Sequence, residues 1–325
     1  MKNIKIKLIF LTGILFPTLF FSQSFAPAAG NIGTTAIHKD SSALVSWANG
    51  IELQRGYLNI SNKSLGFANF GLAENALYQA EGNSYDVVSL GDSGVAILTF
   101  PNPIKNGNGA DFAVFENSFA DDYLEYAFVE VSSDGINFVR FPPISETQTT
   151  VQIDGLGLSD CRNVNNLAGK YRQGYGTPFD LEELVGIAPQ SVDLNNITHV
   201  KIIDVIGSIN AQFGTFDSSG NIINEPWPSE FDSGGFDLDG IAVLNQFVNL
   251  EEQKNSILDL IKIENDIIYY LSENKTDLKI FDLTGKVIIE SSADKEINIQ
   301  YLLSGIYFLK FEFADQDGEM RFFKK

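Results

Sequence analysis

Short apolar runs punctuated by Gly, Pro, Asn and Asp set the pattern of this chain, and most of them are too short for helices. Val95-Ala96-Ile97-Leu98-Thr99-Phe100 is apolar on both faces and is followed by Pro101, Pro103 and Asn106-Gly107-Asn108-Gly109, which predicts a strand central in a sheet. Phe112 to Phe115 predicts the next strand. Ala127 to Val131 and Ile136 to Phe141 flank Ser133-Asp134-Gly135, and an Asp-Gly pair between such runs predicts a hairpin. Val200 to Ile206 and Ile241 to Leu244 read as later strands. Residues 154–196, rich in Gly, Asn and Asp, predict long excursions with a helical turn near Asp180 to Leu184. The segment Gly30 to Asp92 is less regular, with helical turns expected around Ser42 to Trp47 and Glu74 to Tyr78.

Near Asn249 to Lys254 the pattern stops at Glu251-Glu252-Gln253-Lys254-Asn255, and it restarts at Ile257. Leu278 to Leu283, the turn Thr284-Gly285-Lys286, Val287 to Glu290 and Leu303 to Lys310 then alternate down to Phe322-Phe323-Lys324-Lys325. At the other end, Lys2, Lys5 and Lys7 precede an apolar run from Leu8 to Phe21 that contains Pro17 and gives way to Ser22-Gln23-Ser24. At about fourteen residues this run is too short to span a bilayer, and the clustered lysines before it predict a cleavable export signal over residues 1–23. The expected order is a signal at 1–23, a β-sandwich at 24–248, a linker at 249–256 and a small second β-sandwich at 257–325.

Composition narrows the class. With 22 basic and 42 acidic residues the formal net charge is −20, which disfavours nucleic acid and anionic lipid surfaces, since phosphate binding needs clustered Lys and Arg. The 26 phenylalanines and 28 glycines suit many short strands joined by tight turns, so the expected fold class is all-β, a jelly-roll-like sandwich. A β-propeller is the weaker rival, because no blade-length repeat is visible. Cys161 alone cannot form an internal disulfide, and with only His38 and His199 beside it a zinc site is disfavoured.

Two resemblances rest on these residues. The stretch from Leu278 through Thr284-Gly285-Lys286, Leu303-Ser304-Gly305-Ile306-Tyr307-Phe308-Leu309-Lys310 and Phe322-Phe323-Lys324 resembles the C-terminal sorting domain of proteins exported by the type IX secretion system. That resemblance implies a secreted or cell-surface protein whose residues 257–325 meet the export machinery. Gly107-Asn108-Gly109-Ala110-Asp111-Phe112-Ala113-Val114-Phe115-Glu116-Asn117, Phe128 to Phe138, Ala168-Gly169-Lys170, Thr177 to Leu181 and Gly235-Phe236-Asp237-Leu238-Asp239-Gly240-Ile241 are similar to a loosely characterised group of secreted bacterial cell-surface proteins. This second resemblance implies a jelly roll akin to galactose-binding and discoidin-like modules, which commonly recognise glycans and often hold a structural calcium ion.

The acidic positions lend that calcium reading some physical support. Asp237 and Asp239, two apart in an extended segment, point the same way, a repulsion that a hard cation or hydrogen-bond donors relieve. Glu116 and Asn117 end a strand beside a loop where oxygen ligands can converge. Calcium takes six to eight oxygens, so Asp111, Asp204 or Asp92 must add to them. The plainer alternative is that these carboxylates cap turns or face solvent. Asp154-Gly155-Leu156-Gly157-Leu158-Ser159-Asp160 lacks the spacing of a dedicated calcium loop.

For ligands, Trp227 between Pro226 and Pro228, together with Tyr171 and Tyr175 in glycine-rich loops, are the candidate stacking residues for sugar rings, with loop anchoring as the structural alternative. A glycosidase needs two carboxylates across a cleft, for which Glu116 and Asp239 are one of many accidental pairs. His38 and His199 read as surface or structural histidines, and Gly107-Asn108-Gly109 as turn chemistry. The favoured expectation is an exported, non-catalytic binding protein for a glycan or peptide, braced by Ca2+. A secreted glycoside hydrolase or lyase is the alternative, and a purely structural coat protein is a third option.

Overall fold

The computed structural model describes residues 25–229, 231–247, 261–270, 277–292, 296–313 and 316–325. The expected export signal at 1–23 and the linker at 249–256 lie outside the described residues. The chain divides into two compact units, Met1–Gln246 and Phe247–Lys325.

The first unit is built from β1 (Ile37–His38), β2 (Ser46–Trp47), β3 (Gly50–Gln54), β4 (Val88–Ser89), β5 (Val95–Ile104), β6 (Phe112–Glu116), β7 (Ala127–Ser132), β8 (Val139–Arg140), β9 (Ile144–Ser145), β10 (Val164–Asn165), β11 (Tyr175–Phe179), β12 (Ile197–Asp204) and β13 (Asp237–Val243). One antiparallel sheet runs β1-β11-β6-β13-β2, with β4 also paired to β13, and a second runs β3-β5-β12-β7-β8. Phe112 and Val114 of β6, Phe179 of β11 and Leu238 and Ile241 of β13 meet Ala96 and Leu98 of β5, Val129 and Val131 of β7 and Val200 and Ile202 of β12 in one apolar core. Two sheets across one core make a β-sandwich, as the alternation of short apolar runs implies.

Local departures from expectation have local causes. Strand β5 continues through Pro101 and Pro103 to Ile104 because its pairing with β12 shifts register between Ile197 and His199, which carries the strand past residues that have no amide to donate. The run 136–141 yields only Val139–Arg140 as strand. There Asp134 Oδ1 accepts from the amides of Ile136 (2.8 Å) and Asn137 (2.7 Å), and this side-chain turn takes up the start of the expected strand. The helical turn near Asp180 is a 3₁₀ turn, Leu181–Leu184, capped by Asp180 through the Glu182 amide. A second 3₁₀ turn covers Ala73–Ala76, whereas the region expected to turn helically before Trp47 ends in β2.

The second unit holds β14 (Ile261–Glu264), β15 (Ile267–Tyr270), β16 (Asp277–Phe281), β17 (Val287–Ser292), β18 (Glu296–Asn298), β19 (Gly305–Phe313) and β20 (Gln316–Lys324). Its antiparallel sheets β14-β15-β18 and β17-β16-β19-β20 enclose their own core of Ile261, Ile268, Leu278, Ile280, Ile297, Leu309, Phe311 and Phe322. Asp282 closes the β16–β17 turn by accepting from the amides of Thr284 (2.8 Å) and Lys286 (3.1 Å), with Gly285 at φ 81° where a side chain would be strained.

Candidate functional site

Three inward-facing strand rows run from apolar to acidic at one end of the first sandwich. Along β6 the core face reads Phe112, Val114, Glu116, and along β12 it reads Val200, Ile202, Asp204. On β7 the core residues are Ala127, Val129 and Val131, and two positions before them stands Glu125. Asp204 pairs with Ala127 in one sheet and Glu116 with Leu238 in the other, and the Phe236 amide, bonded to Asp204, brings the start of β13 with Asp237 to the same end. Asp92, ahead of β5, and Glu225, in the loop before β13, complete the group. All six carboxylates are buried, the most accessible of them being 5 % exposed.

Five of the six tie down loops. Asp204 accepts from the amides of Phe236 (2.7 Å) and Ser93 (3.0 Å). Asp92 accepts through Oδ2 from the Ile60 amide (2.7 Å) and from Trp227 Nε1 (3.1 Å). Glu116 Oε2 accepts from the Ser118 amide (2.8 Å), and Glu225 Oε2 from the Tyr126 amide (2.5 Å). Asp237 accepts from the Ser89 hydroxyl and from Asn117 Nδ2 (3.0 Å). Glu125 is the exception: among the described residues its carboxylate accepts no hydrogen bond, and it feels the charges of Asp237, Glu116, Glu225 and Asp204. Glycine makes room for this crowding, since a Cβ on Gly235 would sit 2.6 Å from Asp204 Oδ1 and one on Gly169 1.8 Å from the Glu125 carbonyl oxygen.

Burial sets the electrostatics. Loss of water pushes Glu116, Glu125, Asp204 and Glu225 well above the usual carboxylate range, and their mutual repulsion adds to it. Asp92 is raised for the same reason, against its bonds from Ile60 and Trp227. Asp237 is pushed up to about 7 by burial, against the opposing bonds from Ser89 and Asn117 and the charge of Arg55. Arg55 spends its hydrogen bonds on the carbonyls of Phe70, Ser89 and Gly71 rather than on a carboxylate. The neighbouring Tyr123 hydroxyl is raised as well, by burial and by Glu125, Glu116, Asp237 and Glu225.

The five metal candidates of the sequence divide between different places. Glu116, Asn117 and Asp237 lie together, but the Asn117 amide group is turned toward Asp237 as a donor. Asp239 is held by the amides of Glu81 (3.0 Å) and Gly82 (2.9 Å) and is raised by burial to about 6. Asp111 sits at the opposite end of β6, roughly 17 Å of strand away from Glu116. There it accepts from Gly107 (2.8 Å), Leu181 (2.8 Å) and Asn245 Nδ2 (2.9 Å), which anchors loops. Among the described residues no three His, Cys, Asp or Glu side chains converge in a geometry ready to hold a metal ion. Glu125 and Glu225 escaped the sequence reading because each lies in a loop. The spacing of Glu125 two residues ahead of Ala127 was the one signal for it.

Of the three stacking candidates, Tyr171 is 1 % exposed and shares a 2.8 Å hydrogen bond with Thr35 Oγ1, so it presents no face to an external ring. Tyr175 is half-buried on β11, edge-on to His38 at 5.0 Å with the Arg172 guanidinium 4.7 Å from its centre. Trp227 is half-buried and fixed through Asp92. Two aromatic pairs unremarked in the sequence stand nearer the surface: Phe119 stacks on Tyr123 at 4.8 Å, and Tyr57 on Phe67 at 4.6 Å. Both pairs border the acidic end, the first in the loop after Glu116 and the second through the bridge between Tyr57 and Asp92. Phe119 is 66 % and Phe67 54 % exposed. A hollow of about 830 Å³ lined by Pro27, Ile32, Asp121, Leu158, Asp160 and Arg162 contains neither Glu116 nor Asp239.

Among the described residues no helix is long and apolar enough to cross a membrane. No curated protein matches the chain. Residues 255–325 match the secretion system C-terminal sorting domain, which agrees with the all-β second unit and with its Asp282-Leu283-Thr284-Gly285-Lys286 turn. A tail of this type IX class implies contact with the secretion machinery and places the protein outside the cell or on its surface.

Proposed function

We propose that the chain is an exported, non-catalytic binding protein in which the second unit directs export and the loops at the acidic end of the first sandwich recognise a glycan or peptide, with Ca2+ bracing those loops. The observation that carries this reading is the two aromatic stacks, exposed Phe119 on half-buried Tyr123 and exposed Phe67 on half-buried Tyr57, beside loops that Glu116 and Asp92 hold through the Ser118 and Ile60 amides. Flat aromatic faces on anchored loops suit sugar rings and apolar side chains, because little side-chain freedom is lost on binding. Glu116 and Asp239, the carboxylate pair of the carbohydrate-active alternative, are held by separate loops and lend that chemistry no support.

A glycan and peptide array probed with the full mature chain tests the reading. The expected result is a defined ligand set that Phe119→Ala and Phe67→Ala weaken about tenfold or more without lowering the melting temperature, the scale of one stacking contact. Binding that is indifferent to both substitutions, or turnover of a bound sugar, would overturn it.

A further inference from the structure

We propose that Asn108, in the loop between β5 and β6, is a site of spontaneous covalent modification, deamidating to aspartate and isoaspartate, and that the fold protects the chain's other Asn-Gly pairs from the same reaction.

An Asn followed by Gly is the most exposed to this chemistry, because a glycine has no side chain to hinder attack by its own amide nitrogen. The Gly109 nitrogen attacks Asn108 Cγ, the new N–C bond closes a succinimide ring, and the side-chain nitrogen leaves as ammonia. Water then opens the ring at either carbonyl, giving aspartate or isoaspartate at position 108. The step consumes water alone and adds one negative charge.

The chain contains Asn-Gly at 49–50, 106–107 and 108–109, and the structure treats the three differently. Asn49 is exposed, but the backbone on both sides of its bond to Gly50 is fixed. Its amide donates to the Thr99 carbonyl (3.0 Å), and Gly50 pairs with Thr99 as β3 begins. Asn106 is held at both reacting groups. Its Nδ2 donates to Glu182 Oε2 (2.7 Å), and the amide of Gly107, the nitrogen that would attack, donates to Asp111 Oδ1 (2.8 Å). The Asn106 Oδ1 is also shut off from solvent. Gly107 is packed as well, since a Cβ there would lie 2.4 Å from Asn245 Cγ.

Asn108 has none of these restraints. It is exposed at the bend of the loop, and among the described residues neither its side chain nor the Gly109 amide makes a hydrogen bond. A Cβ on Gly109 would meet no atom within 4 Å, so the backbone there has room to move into the ring-closing geometry. Loop tips of this kind open at almost no cost in free energy, whereas paired strands open only with the structure around them. Asn108 stands just ahead of Asp111, at the far end of β6 from Glu116, so the added charge falls away from both aromatic stacks.

The test holds the full mature chain in mildly alkaline buffer, native and in concentrated urea, and follows each Asn-Gly pair by digestion and mass spectrometry. In urea the three pairs should convert at comparable rates. In the native chain Asn108 should stay within about threefold of its urea rate, while Asn49 and Asn106 slow by about tenfold or more. Isoaspartyl methyltransferase should label the aged native chain, and Asn108→Gln, a change at an exposed loop residue, should remove most of that label. An Asn108 slowed as much as the other two, an Asn106 or Asn49 as fast as Asn108 in the native chain, or full labelling of Asn108→Gln would overturn the proposal.

Discussion

Raising the pH should unfold the first sandwich more readily when divalent cations are absent; Glu116, Glu125, Asp204 and Glu225 all add to the effect, and Asp237 with Asp239 sets its least size. The Asp237 carboxyl is pushed from 3.8 up to about 7, chiefly by burial, with Ser89, Asn117 and Arg55 opposing. A group whose native pKa is raised stabilises the fold fully below its unfolded pKa and loses that contribution as pH climbs through the native value. At ~1.4 kcal/mol per pH unit, Asp237 accounts for roughly 4 kcal/mol. Asp239, lifted from 3.8 to about 6 by burial, adds on the order of 3 kcal/mol through the same window. Asp134, Asp160 and Asp217 are shifted the opposite way, and their contributions are lost only as pH falls below the ordinary carboxylate range, so a comparison of pH 5 with pH 8 excludes them. Both tryptophans, Trp47 and Trp227, belong to the first unit, so urea unfolding followed by tryptophan fluorescence in chelator reports that unit alone. Only the part of these losses above pH 5 enters that comparison, roughly 4 kcal/mol for the two together, so with a urea slope of ~3 kcal/mol per molar the midpoint should fall by at least about 1 M between pH 5 and pH 8. Asp237→Asn should shrink the difference by roughly 1 M. A midpoint unchanged with pH, or a difference that Asp237→Asn leaves whole, would refute the reasoning.

Other consequences follow from particular contacts. Phe112→Ala deletes a buried ring stacked 5.3 Å from Phe179 and edge-on to Phe141 at 5.9 Å, and should cost about 3–5 kcal/mol in the same urea experiment. Asp282→Ala removes the acceptor for Thr284 and Lys286 and should loosen the β16–β17 turn of the second unit. Hydrogen exchange by mass spectrometry should then rise over residues 277–292 and stay unchanged across 95–204.

What could be read in advance was what repeats locally. The second unit was legible because strands such as Leu278–Phe281 and Tyr307–Phe311 alternate cleanly and are broken by an Asp-x-x-Gly turn whose chemistry is self-contained. The sandwich was legible from runs such as Val95 to Phe100, although their ends were not, because the register shift past Pro101 and Pro103 depends on β12, a hundred residues on. Glu116, Asp237, Asp204 and Asp92 stood out as acids beside strands. Their company with Glu125 and Glu225 did not, since only antiparallel pairing of β6 with β13 and of β7 with β12 brings those strand ends to one place. Asp111 shows the converse. Five residues from Glu116 reads as near in sequence, and a fully extended strand makes it far. Around Tyr171 a glycine-rich neighbourhood suggests an open loop, whereas Gly169 and Gly176 allow close packing against Glu125 and Phe115 and the ring is buried, as the loop-anchoring alternative has it.

The central claim is that the second unit exports the first, and moving that unit tests it most directly. In a host with a type IX system, the chain lacking residues 255–325 should accumulate in the periplasm with its first sandwich folded, and a periplasmic reporter carrying residues 247–325 should reach the medium or the cell surface. Export of the truncated chain at the wild-type level, or retention of the tailed reporter, would contradict it.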